Sequence, residues 1–351
     1  MSGPRSILVV QTAFAGDVVL VLPLIAFLRE SFPGSGITAV TIPAAAELLA
    51  GHPALHGVIV YDKRGADNGV RGLLRTASRI RAARFEAAVI PHRSLRSALL
   101  CRLAGIPVRI GFDTSAGRYL LTHRVRYAAN DHEIRRNLSL AVPLGVPSPP
   151  FALPRLFPSP LDRLVVDGFL RGSVAEDSTS PAAPRVAVAP GSVWNTKRWP
   201  ESTFVSLIAS LLDDGLPVVL IGGAADRDLC ARICSALPGR RVADASGRLS
   251  LLESAELISR CAVLVSNDSA PVHIAAAMGV PVVAIFGPTL PSFGFAPSGP
   301  LDRVVETMGL ACRPCSIHGG TRCPTGTFDC MNRISAGRVR DEVLALARRK
   351  S

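Results

Sequence analysis

Short, almost purely apolar runs alternate along the chain with polar turns and longer stretches of helical character. Residues 7–10, 37–42 and 87–90 are apolar at most positions, which is typical of strands buried on both faces of a parallel sheet. The stretches between these runs have room for a helix and a return loop. The pattern therefore predicts an α/β fold built on a doubly wound parallel sheet.

A proline-rich stretch over residues 143–160 interrupts this alternation. Proline fixes φ and removes a backbone donor, so the stretch suits a junction between domains better than a sheet. A second series of apolar runs starts at residue 185. We expect an N-terminal Rossmann-like domain over residues 1–158, a hinge over 159–184 and a C-terminal Rossmann-like domain over 185–351, with a cleft between the carboxyl edges of the two sheets.

Residues 262–281 form the clearest strand, loop and helix unit of the chain. Ser269 falls at the expected N-cap, and Pro271 falls near the first helical position, where its missing N–H costs nothing. The loop follows the carboxyl end of its strand, where parallel sheets bind ligands and helix starts bind anions. Asp268 and His273 stand at this rim, which predicts an anion site. The alternative is that Asp268 only caps the helix and His273 is a core residue.

Two further loops that follow apolar runs carry candidate chemistry. Asp17 stands where the first loop enters a helix, and it either caps that helix or takes a proton from a bound hydroxyl. In the second half, Ser192 and Lys197 follow a strand closely. A hydroxyl, backbone N–H groups and an ammonium group together suit a phosphate. The alternative for Lys197 is a surface position without a role.

Two smaller groups of charged residues follow other predicted strands. His92, Arg93 and Arg96 lie in a loop after residues 87–90 and are candidates to contact an anionic acceptor. Asp226 and Asp228 form a DRD triplet that resembles the metal-binding DxD of some sugar transferases. Because the triplet follows a glycine turn, the start of a helix with favourable carboxylates is the preferred interpretation.

The charge of the chain narrows the choice of partners. The 351 residues carry a net charge of +12, and aromatic residues make up only 5%. No run interleaves basic and aromatic residues as a platform for single-stranded nucleic acid does. The charge therefore favours an anionic membrane surface or an acidic glycolipid over a nucleic acid.

The apolar runs also indicate where in the cell the protein is expected. The longest one covers residues 18–28, which is too short for a transmembrane helix. Gln11 and Thr12 interrupt the apolar region near the N-terminus, which argues against a signal peptide. We therefore expect a cytosolic protein.

Four cysteines, Cys312, Cys315, Cys323 and Cys330, lie close together near the end of the chain. A CxxC pair with two nearby thiols is one arrangement that holds structural zinc, with His318 as a substitute ligand. The spacing of the second pair is irregular, so free thiols or transient disulfides are the other interpretations.

Taken together, the motifs resemble the bacterial heptosyltransferases of glycosyltransferase family nine, of the ADP-heptose:lipopolysaccharide heptosyltransferase II type. The segments that carry the resemblance are GDVVLVLP at 16–23, RIGFDTSAGRYLLTHRV at 109–125, PGSVWNTKRWP at 190–200, NDSAPVHIAAAMGVPVVAIFGPT at 267–289, and CRPC and FDCM near the end. They span almost the whole chain in order. The resemblance implies a GT-B fold with two Rossmann-like domains facing a cleft, the acceptor on the N-terminal domain and the nucleotide sugar on the C-terminal one.

The resemblance also implies a reaction. Heptose moves from ADP-heptose to the inner core of lipopolysaccharide with inversion, without a divalent metal or a cofactor. Asp17 matches the family's catalytic carboxylate, and Ser192 and Lys197 match its diphosphate contacts. The matches to the donor-binding loop are Asp268 and the backbone of Ser269, Ala270 and Pro271, beside His273; Asp226 and Asp228 stay unassigned. We further expect a monomer in peripheral contact with the cytoplasmic face of the inner membrane.

Two functions from other classes stay open at this point. One is a nucleotide-sugar epimerase of related two-domain architecture, which needs no acceptor. The other is a non-catalytic protein that binds nucleotides or nucleic acid through its basic charge. Product analysis with and without a lipopolysaccharide core acceptor separates all three.

Overall fold

The computed structural model describes residues 3–173 and 184–348. The chain forms two compact units, one ending at Phe157 and the other beginning at Pro158. The first part of the predicted hinge is a helix, α6 (Pro160–Ser173), which belongs to the second unit. The rest of that hinge, residues 174–183, lies outside the described residues.

The first unit is a six-stranded sheet in the order β3-β2-β1-β4-β5-β6, with every neighbouring pair parallel. This is the strand order of Rossmann-like dinucleotide-binding sheets. Its strands are β1 (Ser6–Val10), β2 (Gly36–Thr41), β3 (Gly57–Val60), β4 (Ala87–Ile90), β5 (Val108–Phe112) and β6 (His123–Val125). Its helices are α1 (Ala15–Ser31), α2 (Pro43–Ala46), α3 (Gly69–Ala82), α4 (Leu95–Leu103) and α5 (Glu133–Ser139).

The second unit repeats this arrangement with the order β12-β11-β10-β7-β8-β9, again parallel throughout. Its strands are β7 (Val186–Ala189), β8 (Val218–Leu220), β9 (Val242–Asp244), β10 (Val263–Asn267), β11 (Val282–Phe286) and β12 (Arg303–Glu306). Besides α6, its helices are α7 (Glu201–Asp213), α8 (Arg227–Ser235), α9 (Leu251–Ser259), α10 (Ala270–Ala277), α11 (Asp329–Asn332) and α12 (Ala336–Ala347). The predicted α/β class with two doubly wound parallel sheets is confirmed.

The central strands are buried at every position because helices cover both faces of each sheet. In β4, β7, β10 and β11 no residue is exposed to solvent, which explains their continuous apolar sequences. Each unit has its own core, one around Leu8 and Ile90 and the other around Val188, Val265 and Phe204. The carboxyl ends of these rigid strands carry the loops that hold the candidate site residues.

Across residues 3–173 and 184–348, no helix combines the length and the apolar character that crossing a bilayer demands. The longest helix in the described part of the chain, α1, is 17 residues long and packs most of its length into the core of its own unit.

Candidate active site

A lysine and an aspartate from two different loops of the second unit meet at its sheet edge. Asp268 follows β10 directly, and Lys197 ends a short 3-10 turn after β7. The Lys197 Nζ atom lies 2.6 Å from Asp268 Oδ2, and the two side chains are 13% and 8% exposed. The Thr289 hydroxyl donates to the same oxygen at 2.7 Å. This carboxylate is therefore held from two sides, and it orients the ammonium group.

Asn267, the last residue of β10, fixes the two loops to each other. Its side-chain nitrogen donates to the carbonyl oxygen of Pro190 at 2.8 Å, and its side-chain oxygen accepts from Trp199 N at 3.1 Å. Asn267 is fully buried, so both hydrogen bonds lie away from competing water. The pairing of β7 with β10 brings the two loops to one edge, and this amide fixes them to each other.

The start of α10 lies beside this ion pair. Ser269 is the N-cap by position, and Pro271 lies in the first turn, as the sequence predicts. The Ser269 hydroxyl donates to Asn267 O at 3.2 Å, so it points away from the helix start. His273 belongs to the first turns of the same helix and is buried, with 6% exposed. Ala270 and Pro271 are half-buried, and this helix start presents its positive dipole end to the loop.

Ser192 lies in the loop after β7, on the same rim. Its side chain is buried, and its carbonyl oxygen accepts from Arg198 Nε at 2.8 Å. The preceding Gly191 allows the β8 loop to approach, because a Cβ there would lie 2.1 Å from Asp226 Oδ1. Asp226 Oδ2 accepts from Gly223 N at 2.9 Å. The DRD aspartate therefore closes a turn before α8, as its preferred interpretation predicts.

In the first unit, Asp17 is the third residue of α1 and is half-buried at the carboxyl end of β1. Its Oδ2 accepts from Phe14 N at 3.1 Å, which caps the helix. Capping and proton acceptance do not compete, because a carboxylate has about four lone-pair sites. Both sequence interpretations of Asp17 thus fit one position.

A second acidic residue that the sequence analysis missed stands near Asp17. Glu133 begins α5, and Asn137 one turn later donates from its side chain to Leu20 O at 3.1 Å, which fixes α5 on α1. Burial, with the charge of Asp17, raises the pKa of Glu133 to about 8. Arg136 Nη1 lies 3.1 Å from Glu133 Oε2, yet among the described residues no hydrogen bond of good geometry reaches that oxygen. Burial therefore favours the protonated form of Glu133.

Basic and aromatic residues occupy the same edge of the first sheet. His92 Nδ1 lies 2.9 Å from Thr12 Oγ1, and Lys63 Nζ donates to Thr12 O at 2.6 Å. Burial, helped by Lys63 and Arg93, lowers the pKa of His92 to about 4, so this imidazole is neutral. The Arg93 guanidinium stacks on the Tyr127 ring at 4.1 Å. This edge combines cations with hydroxyl groups, and the contact of His92 and Arg93 with an anionic acceptor stays a prediction.

Arg96 belongs to this group but turns to the backbone of its own unit. Its Nη2 donates to Gly69 O at 2.9 Å, and its guanidinium lies 5.7 Å from the centre of the Tyr61 ring. The structure therefore gives Arg96 a structural contact, and its contact with an anionic acceptor stays a prediction.

Residues 73–322 match glycosyltransferase family 9 (heptosyltransferase). The chain belongs to this family. Membership makes the protein a glycosyltransferase, as the resemblance implies, and sets aside the epimerase and the non-catalytic binding protein as alternatives.

Individual members agree with this over nearly the whole chain. Lipopolysaccharide heptosyltransferase 2 of Escherichia coli (strain K12) is 28% identical over 349 residues, which cover 97% of this chain and 98% of that protein. The glycosyl transferase family 9 structure from Veillonella parvula DSM 2008 has a TM-score of 0.87 at 24% identity, covering 98% of this chain and 97% of its own. The structure of E. coli ADP-heptose lps heptosyltransferase II has a TM-score of 0.79 at 25% identity, covering 98% and 99%. The predicted GT-B type of fold is confirmed.

The cysteine cluster of this family member contains free thiols. Cys312, Cys315 and Cys323 are half-buried and Cys330 is buried. Burial, with the other three sulfurs nearby, raises the pKa of Cys330 to about 11, whereas hydrogen bonding with Thr325 lowers the pKa of Cys323. Within the described ranges, no three His, Cys, Asp or Glu side chains are arranged to hold a metal ion. No disulfide links the described cysteines, and the zinc and transient-disulfide interpretations stay predictions.

Proposed function

We propose that the protein transfers heptose from ADP-heptose to the inner core of lipopolysaccharide, with inversion and without a divalent metal. The observation that carries the proposal is the buried Lys197–Asp268 pair at the start of α10 in a chain of the heptosyltransferase family. The E. coli relative of known structure is named for ADP-heptose and lipopolysaccharide, which supports the same donor and acceptor here.

The second unit supplies the donor site of the proposal. The diphosphate lies against the Lys197 ammonium, the Ser192 hydroxyl and the N–H groups of the α10 start, with Asp268 holding Lys197 in place. A fixed cation and a helix dipole favour negative charge without reorganising when it grows. As the glycosidic bond to phosphate breaks, ADP leaves with the electron pair, and these groups stabilise its charge. Their presence is the reason we propose metal independence.

The first unit supplies the acceptor and the base. The Asp17 carboxylate takes the proton of an acceptor sugar hydroxyl while that oxygen attacks the anomeric carbon of heptose. One displacement at this carbon inverts its configuration. The cationic side chains of Arg93 and Lys63, which lie beside His92, suit the acidic groups of an inner-core acceptor. A neutral Glu133 adds no second negative charge that would repel such an acceptor.

The proposal extends to where the enzyme works. We propose a monomer on the cytoplasmic face of the inner membrane, held there by the net charge of +12, because basic proteins are attracted to anionic lipid surfaces. Flotation with vesicles of anionic and of neutral lipids, beside sedimentation of the free protein, tests this. Binding to neutral vesicles alone, or a stable dimer, contradicts it.

A product assay tests the proposed reaction directly. The protein is incubated with ADP-heptose and a heptose-deficient core acceptor, with and without EDTA. Mass spectrometry measures the mass of the product, and NMR determines its anomeric configuration. We expect one added heptose, an inverted linkage and equal rates in EDTA. Hydrolysis of ADP-heptose without transfer, a retained configuration or a loss of activity in EDTA contradicts the corresponding part of the proposal.

A further inference from the structure

The loop that carries two of the clustered cysteines, residues 310–322, touches the turn that ends in Lys197 and the segment that carries Thr289. On one side, Thr196 N donates to Gly320 O at 3.0 Å, and Gly320 N donates to Thr196 Oγ1 at 2.8 Å. On the other side, Cys315 N donates to Pro288 O at 3.0 Å. We call these residues the cysteine loop. It lies against the turn that ends in Lys197 and against the segment that carries Thr289.

Arg313 is the side chain through which the cysteine loop reaches the ion pair. It is 3% exposed and forms an ion pair with Glu306. Its Nη2 donates to Thr289 O at 2.8 Å, and its Nη1 donates to Thr307 O at 2.9 Å. Since the Thr289 hydroxyl donates to Asp268 Oδ2, an unbroken series of contacts runs from Arg313 through Thr289 and Asp268 to Lys197.

We propose that Arg313 is a positioning residue for the donor site: it fixes the backbone of Thr289 so that the hydroxyl of this threonine holds Asp268 against Lys197. The role assigned to this site, binding the diphosphate of the donor, rests on the proposed function. The proposal gives Arg313, whose side chain is 3% exposed, no contact of its own with a substrate.

The chemistry of the side chain explains why an arginine fits here. A guanidinium group offers several donors in a rigid plane, so one residue bonds two separate carbonyl oxygens and a carboxylate at once. A lysine offers a compact ammonium group on a flexible stem and cannot span the Thr289 and Thr307 carbonyls in the same way. Arg313→Lys therefore keeps the positive charge opposite Glu306 but loses the simultaneous hydrogen bonds to Thr289 O and Thr307 O.

The test compares Arg313→Lys with Thr289→Val, which removes the hydroxyl that holds Asp268, and with Thr289→Ser, which keeps it. Arg340→Gln is the matched control. Arg340 lies in α12 of the same unit and forms an ion pair with Asp214, the residue after α7. ADP affinity is measured by calorimetry, and KM for donor and acceptor by product assay. We expect Arg313→Lys and Thr289→Val each to lower ADP affinity and to raise the donor KM by about tenfold, with the acceptor KM unchanged. Thr289→Ser and Arg340→Gln stay close to wild type.

The double variant separates positioning from general stability. If Arg313 acts through Thr289, adding Arg313→Lys to Thr289→Val lowers ADP affinity less than twofold further, because the connection is already cut. Additive losses, or wild-type ADP affinity in Arg313→Lys, overturn the proposal. Should Arg313→Lys unfold at a much lower temperature than Arg340→Gln, Glu306→Gln takes its place. We then expect Glu306→Gln to lower ADP affinity alone and to add less than a twofold loss to Thr289→Val.

The proposed function and this inference fail in different ways. If the proposed function is wrong, the wild-type protein neither binds ADP nor transfers heptose. If only the positioning role of Arg313 is wrong, the wild-type protein does both, and Arg313→Lys either does both equally well or loses ADP affinity additively with Thr289→Val.

Discussion

At the scale of single residues, the candidate chemistry depends on side chains that do two things at once. Asp17 caps α1 and is proposed as the base, and Asp268 holds Lys197 while accepting from Thr289. The sequence predicted Asp17, Lys197 and Asp268 because each follows a strand in a loop that enters a helix. Nothing in the sequence placed Thr289 against Asp268, because that contact exists only after β10 and β11 pair.

The first prediction concerns Lys197. Replacing it by alanine removes the cation next to Asp268 and leaves a buried carboxylate without its partner, so we expect ADP affinity to fall at least about tenfold, ~1.4 kcal/mol. Calorimetry with ADP measures this. Lys63→Ala, the same change at a lysine of the first unit, is the control and keeps its ADP affinity. An equal loss in both variants contradicts the assignment of the donor to the second unit.

Glu133 gives a prediction about pH. Its pKa is raised from 4.5 to about 8 by burial and by Asp17, so the folded state keeps a proton that the unfolded state releases. The free energy of unfolding therefore falls as pH rises from about 4.5 to about 8 and is level outside that range. Urea denaturation at several pH values measures it. The Glu133→Gln variant keeps a neutral side chain of the same size and should lose this part of the pH dependence; an identical pH profile in both proteins would falsify the assignment.

At the scale of elements, the buried central strands and the long helices were predictable, and the short or mixed ones were not. β6 is three residues long and largely exposed, so it lacks the apolar run that marks the other strands. α5 was missed for a different reason: its buried positions include Glu133 and Arg136, which imitate a solvent-facing pattern. Glu133, the acidic residue near the proposed base Asp17, thus lies in α5, a helix that the apolar pattern does not predict.

A glycine in the cysteine loop allows a test of how closely two elements approach. Gly319 has φ +88°, and a Cβ there would lie 3.1 Å from Lys197 Cγ. We expect Gly319→Ala to cost about 1–3 kcal/mol of backbone strain and also to lower ADP affinity by displacing Lys197.

Gly215 provides the matched control for this prediction. It has φ +77°, and a Cβ would meet nothing within 4 Å, so Gly215→Ala carries similar strain without crowding. Thermal unfolding and ADP calorimetry on both variants separate the two effects. If Gly319→Ala binds ADP as tightly as Gly215→Ala does, the cysteine loop does not control the position of Lys197.

At the scale of the whole molecule, the two units share one strand order and divide the proposed chemistry between them. The alternation of apolar runs predicted this doubling, and the motif resemblance predicted the family. The sequence could not show the contacts that Thr289 and Arg313 make around the candidate site, or the burial of Glu133, because folding alone brings their partners near. The proposed assignment of the base to the first unit and of the donor to the second is therefore tested best by the complete transfer reaction, which uses both units.

The most direct measurement is heptose transfer by Asp17→Asn. Asparagine keeps an oxygen that accepts from Phe14 N, so the α1 cap survives while the base is lost. We predict a turnover at least about 100-fold below wild type, with unchanged ADP affinity and thermal stability; Asp17→Ala should lose turnover as well and some stability. Turnover within about tenfold of wild type, ~1.4 kcal/mol of barrier, would contradict the account, since Asp17 would then not be the base.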